Sequence, residues 1–249
     1  MSIKTNELPQ AAAMADNDSF VATTSQGTKR ISLSLLKQVF GKLFAPGGFG
    51  LGEYTSPVVP DTNLDNVIRN GWYRLTGNET NGPDLGNTAY LNLAVLFVKS
   101  SLYDIYLKEQ TLYLGNAGFQ GLTLRRYYAN DVHGWQPWEW RNPPLRAGVE
   151  YRTTERYNGK PVYAKMIDCG SMPNAAVSEV PHGIENIERV IQACGSTSNY
   201  GKTIPTENFA GSSGFVRIVA SGTNVTIQTS NDYSTGRAFV VLKYTKTTD

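Results

Sequence analysis

Phe215-Val216-Arg217-Ile218-Val219-Ala220, Asn224-Val225-Thr226-Ile227-Gln228-Thr229 and Ala238-Phe239-Val240-Val241-Leu242-Lys243-Tyr244 follow one another closely near the end of the chain. Each is short and rich in β-branched or aromatic residues, the side chains that pack well on a pleated surface. Ser221-Gly222-Thr223 offers a tight turn between the first two, and the polar run Ser230 to Gly236 joins the second to the third. The three therefore read as an antiparallel meander. In its central strand Val225 and Ile227 alternate with Thr226 and Gln228, so one face is expected to be wet.

Working outward, Pro161-Val162-Tyr163-Ala164-Lys165-Met166-Ile167-Asp168 predicts a fourth strand. From Ile184 to Cys194 two periods compete. Ile184, Ile187 and Ile191 stand at helical spacing, while Val190-Ile191 before Gly195 fits a strand; a turn followed by a strand is expected. Further upstream, Asp65 to Leu75 begins polar and ends as a strand around Trp72. Tyr90 to Val98 reads as a strand buried on both faces or nearly so. Asp104-Ile105-Tyr106-Leu107, Thr111-Leu112-Tyr113-Leu114 and Leu122 to Tyr128 are further short strands separated by Gly and Asn turns.

The N-terminal part has a different texture. Ser19 to Thr24 alternates like a strand, and Ser25-Gln26-Gly27 reads as a turn. Leu33, Leu36, Phe40 and Leu43 recur at helical spacing, with Ser32 or Ser34 as cap. A helix of about three turns is marginal alone, so it packs either on its own chain or on copies of itself. Ala45-Pro46-Gly47-Gly48-Phe49-Gly50-Leu51-Gly52 then breaks structure and reads as a linker. The expected organisation is an attachment segment over 1–52, a β-rich unit over 53–145 and a C-terminal β unit over 146–249, with Pro143-Pro144 stiffening the joint. The fold class is mainly β, in several antiparallel units, with a knob-like middle, a sandwich-like tip and one short helix.

Composition narrows the function. Of 249 residues 40% are hydrophobic, enough for a core, while only 18% are charged, below the usual ~25%. Low charge suits a chain that hides surface in an oligomer. A net charge of +2 gives no electrostatic footprint for nucleic acid. The longest apolar run, Leu93 to Val98, falls far short of a membrane span, and Met1 to Glu7 lacks the apolar core of a signal peptide. The expectation is a protein made in a cytoplasm that leaves by lysis or as part of a particle. Cys169 and Cys194 sit in apolar contexts and are expected to be buried free thiols.

Three sets of motifs carry a resemblance. Glu7-Leu8-Pro9-Gln10-Ala11, Asn17-Asp18-Ser19-Phe20 and Gly27-Thr28-Lys29-Arg30-Ile31-Ser32 resemble the virion-attachment segment of phage tail fibre proteins. Asn70-Gly71-Trp72-Tyr73, the apolar run at 91–98, Gln110-Thr111-Leu112-Tyr113 and Arg126-Tyr127-Tyr128 leading to Trp135-Gln136-Pro137-Trp138 resemble the pyocin-knob type of domain. Tyr157-Asn158-Gly159-Lys160-Pro161-Val162-Tyr163, Val180-Pro181-His182-Gly183-Ile184 and Leu242 to Thr247 look like the tip domain of phage fibres. The resemblance implies a homotrimeric virion protein, joined to other tail or baseplate proteins through residues 1–45 and adhering to a bacterial surface glycan or protein. The repetitive shaft of long fibres is missing, which leaves open a distal receptor binder or a short structural connector.

No catalytic or metal set is visible. The two histidines, His133 and His182, sit in exposed-looking turns and read as satisfied structural residues, a receptor contact being the alternative, and no zinc spacing, nucleophile elbow or phosphate loop occurs. No cofactor is expected. Glycoside hydrolysis needs only two carboxylates, for which Asp104, Asp168, Glu179, Glu185 and Glu188 are formal candidates, but no β-helix repeat of a depolymerase is present. Trp135, Trp138 and Trp140, with Tyr127 and Tyr128 before them, either close a core or stack on sugar rings; Trp72 is expected in the core. Candidate receptor contacts are Asn199 and Tyr200 in one loop, Asn231, Asp232 and Tyr233 in another, and Trp135 and Trp138. The loops mix adaptable polar groups with a rigid aromatic, a composition that also makes plain solvated turns.

Overall fold

A computed structural model describes residues 19–25, 27–36, 38, 58–92, 94–100, 108–116, 118–130, 132–199, 202–209 and 214–248. The chain is mainly β. Strands β1 (Ser19–Thr24) and β2 (Gly27–Ser32) form a two-stranded hairpin closed by the pair Thr24 and Gly27. Residues 33–36 are helical, and Ser32 Oγ accepts the Leu35 N–H at 3.2 Å, the bond of an N-cap serine. Phe40 and Leu43 of the expected helix lie outside the described residues, as do the linker and the strand expected at Asp104–Leu107.

Five strands follow: β3 (Gly71–Arg74), β4 (Val95–Ser100), β5 (Lys108–Tyr113), β6 (Thr123–Tyr128) and β7 (Glu139–Trp140), each antiparallel to the next. The rest are β8 (Glu150–Tyr157), β9 (Lys160–Ser171), β10 (Val177–Pro181), β11 (Ile187–Thr197), β12 (Thr203–Ile204), β13 (Thr206–Phe209), β14 (Gly214–Ser221), β15 (Asn224–Thr229) and β16 (Arg237–Lys246). β7 meets β8 in parallel at Trp140 and Thr153, so one ten-stranded sheet runs β12-β11-β16-β9-β8-β7-β6-β5-β4-β3. A four-stranded sheet, β10-β15-β14-β13, covers its C-terminal half and completes a sandwich.

Two cores result. Leu64, Leu75, Leu96, Leu112 and Leu124 centre the first, under the middle strands. Val216, Val225 and Ile227 from the small sheet meet Ile167, Val240 and Leu242 from the large one in the second. Period-two patterning explains the second core: Val225 and Ile227 are buried while Thr226 and Gln228 are half-exposed, as the alternation requires.

The structure corrects two strand expectations. β14 and β15 form the expected hairpin, but β16 leaves it and pairs between β9 and β11 in the large sheet. The crossing is made by Ser230 to Gly236, which is pinned to the segment before β10: Ala175 N–H donates to Asn231 O at 2.9 Å and Tyr233 N–H to Pro173 O at 3.2 Å. The apolar run at 90–98 is also not one doubly buried strand. Asn87 Oδ1 accepts the Ala89 N–H at 2.9 Å and starts a 3-10 turn over Thr88–Leu91. β4 then buries Leu96 and Val98 and leaves Val95 and Phe97 half-exposed. Over the stretch Ile184 to Cys194 the expected strand is found: a bend at Asn186, with φ 59°, leads into β11.

Candidate functional site

The aromatic stretch of the middle unit is organised by a buried arginine. Arg126 on β6 is only 4% exposed. Its guanidinium lies 4.6 Å from the ring of Trp135 and 4.6 Å from that of Trp138. Nε donates to Gln110 Oε1 at 2.9 Å, and Nη1 pairs with Asp65 at 2.8 Å. Burial pushes this guanidinium down to about 10, against the opposing pull of Asp65, so it stays charged at neutral pH. Two indole faces and one carboxylate make the buried charge tolerable.

The tryptophans reach Arg126 because the chain folds back over β6. Ala129 N–H donates to Gly134 O at 2.9 Å and Gln136 N–H to Tyr127 O at 2.7 Å. Each indole N–H is then used: Trp135 donates to Asp65 O at 3.1 Å and Trp138 to Asn81 O at 3.0 Å. Trp135 and Trp138 are half-buried and Trp140 is in the core. Trp72, expected in the core, instead stands half-exposed on the opposite face of the sheet. Its ring packs at a tilt against Phe97 at 4.6 Å and Tyr113 at 5.7 Å, and the strand's alternation sends Tyr73 inward in its place.

Next to Trp138 lies an open groove of about 350 Å³, lined along residues 79–88 and by Leu91. Its rim is held from below. Asn81, at φ 58°, donates from Nδ2 to Asn63 Oδ1 at 2.9 Å and Asp65 Oδ2 at 2.8 Å. Glu79 is buried, with Oε1 accepting from the Thr76 N–H at 2.6 Å and hydroxyl at 2.9 Å, and Oε2 from the Gly77 N–H at 2.9 Å. The Asp61-Thr62-Asn63-Leu64-Asp65 run is occupied in the same way by local turn bonds. Among the described residues no group of His, Cys, Asp and Glu could hold a metal ion. Sequence reasoning missed this groove, since its polar loop looks like any turn-rich connection.

The C-terminal loop candidates separate. Tyr200 lies outside the described residues. Asn199 is exposed and donates to Thr235 O, tying the two loops together. Asn231 and Asp232 are exposed, and Asp232 Oδ1 accepts from Ser234 N–H at 3.0 Å and Oγ at 2.7 Å, which lowers its carboxyl below the usual range. Tyr233 was expected at the surface and is instead a core residue, 4% exposed, because the crossing between sheets drives its ring into the second core. His182 is buried, not exposed, and has the structural role expected of it. Its Nε2 lies 3.0 Å from Gly222 O and its Nδ1 accepts the Ile184 N–H at 3.1 Å, so both ring nitrogens are used structurally.

Among the described residues, three of the carboxylates considered for hydrolysis are engaged by neighbouring side chains. Asp168 is paired with Arg237 and Glu188 with Lys160, and Glu179 accepts from Asn224 Nδ2 at 3.2 Å. Glu185 is exposed and Asp104 lies outside the described residues. Cys169 is buried, and burial beside Asp168 pushes its thiol up to about 11. Cys194, expected buried, is half-exposed. No helix among the described residues is long and apolar enough to cross a membrane.

No family model matches the chain, and no curated protein matches it. Solved structures do. An N-truncated R2-type pyocin tail fibre is 12% identical with a TM-score of 0.27, covering 80% of this chain and 100% of its own. An R1 pyocin fibre of P. aeruginosa is 13% identical with a TM-score of 0.27, covering 88% and 71%. An R2 pyocin fibre of P. aeruginosa is 10% identical with a TM-score of 0.28, covering 92% and 74%. At these scores the architecture rests on the strand order above and not on the matches.

Proposed function

We propose that the chain is a phage tail fibre or receptor-binding protein, a homotrimeric virion component that attaches to the bacterial surface. The observation that carries this reading is the cluster of Trp72, Phe97 and Tyr113 on the outer face of the middle sheet. A single chain leaves this aromatic surface partly open, and such a surface marks a place of association. The sheet that bears it continues through β7 and β8 into the C-terminal unit. At that seam the buried Glu139 pairs with Arg152 at 3.1 Å and Arg156 at 2.6 Å. A stiff seam suits a part that carries load from a bound surface to a particle. The order of motifs along the sequence supports the same assignment, with 1–45 as the virion-facing end.

Purified full-length protein should scatter light as a trimer, adsorb to cells of the host strain and release no reducing sugar from their envelope. A stable monomer that adsorbs to no cells would refute the reading. Steady sugar release, lost on changing one Asp or Glu, would make the chain an enzyme instead.

A further inference from the structure

The groove beside Trp138 has a chemistry of its own. Its volume of about 350 Å³ sits at the lower end of the roughly 300–1,000 Å³ of small-molecule sites. Leu85, Leu91 and Pro83 give it apolar wall, and Leu85 also packs on the first core. The polar side chains along it are only partly used. Asn87 spends Oδ1 on the Ala89 N–H, and Asp84 spends Oδ1 on the Gly86 N–H at 2.8 Å. Among the described residues Asn87 Nδ2, Asp84 Oδ2, Asn81 Oδ1 and Thr88 Oγ1 make no hydrogen bond.

The apolar trough thus carries two free acceptors, Asn81 Oδ1 and Asp84 Oδ2, followed by the Asn87 Nδ2 donor and the Thr88 hydroxyl. Hydroxyl groups, which both donate and accept, match that pattern, and ring C–H faces match the apolar wall. No Lys or Arg lines the groove, and its charged residues are Glu79 and Asp84, so a phosphate or an acidic sugar would meet only like charge. Both Glu79 oxygens accept hydrogen bonds from Thr76 and Gly77, so Asp84, with Oδ2 free, is the groove carboxylate placed to meet a ligand. The rim is also set in advance, since Asn81 is clamped by Asn63, Asp65 and Trp138, and a preformed site loses little on binding.

We propose that this groove is a binding subsite for a neutral glycan, taking one or two sugar units through Asn81, Asp84, Asn87 and Thr88. The inference rests on the adhesive reading above and locates it in the middle unit, away from the C-terminal loops. The test uses the full chain on a printed panel of neutral, sialylated and phosphorylated oligosaccharides, with adsorption to host cells measured in parallel. Asp84→Asn and Asn87→Asp both keep the oxygen that caps the local turn while reversing the free hydrogen-bonding group. Leu85→Trp fills the trough. The wild type should be retained by neutral glycans, and each variant, with unchanged circular dichroism, should bind about tenfold more weakly. Retention confined to acidic glycans, or no retention, overturns the subsite. So does wild-type binding in all three variants; cell adsorption unchanged in them leaves the adhesive reading standing while the groove fails. Absence of cell adsorption by the wild type itself counts against the adhesive reading.

Discussion

Replacing Arg126 with alanine removes the centre of the middle unit's polar core. Three losses coincide. The guanidinium leaves two indole faces, each contact contributing about 0.5–2 kcal/mol. Gln110 Oε1 loses its charged donor at 2.9 Å, a bond of about 1.5–3 kcal/mol. Asp65 loses its cation, and removing one member of a buried pair costs about 3–5 kcal/mol. These overlap, and the Asp65 side chain is 34% exposed, so water recovers part of the last one. A net loss of about 3 kcal/mol remains. With a urea slope of about 2 kcal/mol per molar, the midpoint should fall by about 1.5 M. All four tryptophans, 72, 135, 138 and 140, lie in this part of the chain, so their fluorescence reports on the strands around Arg126. Arg126→Lys keeps the charge but loses the flat stacking and the Nε bond, and should give about half the shift. A fall under about 0.5 M for the alanine variant would show that the Trp135–Arg126–Trp138 stack is not what holds the loop.

Other outcomes follow from single features. Gly195→Ala should unpair β11 from β16, because a Cβ there would stand 2.1 Å from the Phe239 carbonyl oxygen; a melting temperature within about 2 °C of wild type would contradict it. Cys169 should resist thiol reagents at about pH 8 in the folded protein and react only on unfolding, while the half-exposed Cys194 reacts first. Hydrogen bonds from Arg237 and the Gly170 N–H hold the Asp168 carboxyl below its ordinary range. The folded state therefore binds that proton less readily than the unfolded chain, and the stabilisation is present above the ordinary range and lost as pH falls through the depressed value. Asp168→Asn should accordingly flatten the loss of C-terminal stability as pH falls below the ordinary carboxylate range, followed by circular dichroism; an unchanged acid limb would count against it.

The sequence carried most of the strands but not their partners. Alternation at Val225 and Ile227 announces a half-buried strand wherever it is placed, since the period is local. That β16 joins the other sheet depends on Tyr233 finding the second core, which nothing within Ser230–Gly236 signals. The 90–98 run looked like one strand because apolar composition hides a turn that Asn87 sets by capping. At the candidate site the tryptophans stood out, while Arg126 did not. It lies nine residues before Trp135 in the sequence, and only the fold-back of 129–136 places it between the two rings. The groove was illegible for the same reason, because Asn81 and Trp138 meet only through the packed loop.

The central claim, that this chain forms the adhesive outer part of a tail with residues 1–45 on the particle, is tested most directly by electron microscopy of virions carrying a labelled tag after Asp249. The account predicts label at the free tips of tail appendages, and no label on particles whose protein lacks residues 1–45. Label along the collar or tube, or particles that still incorporate the truncated chain, would contradict it.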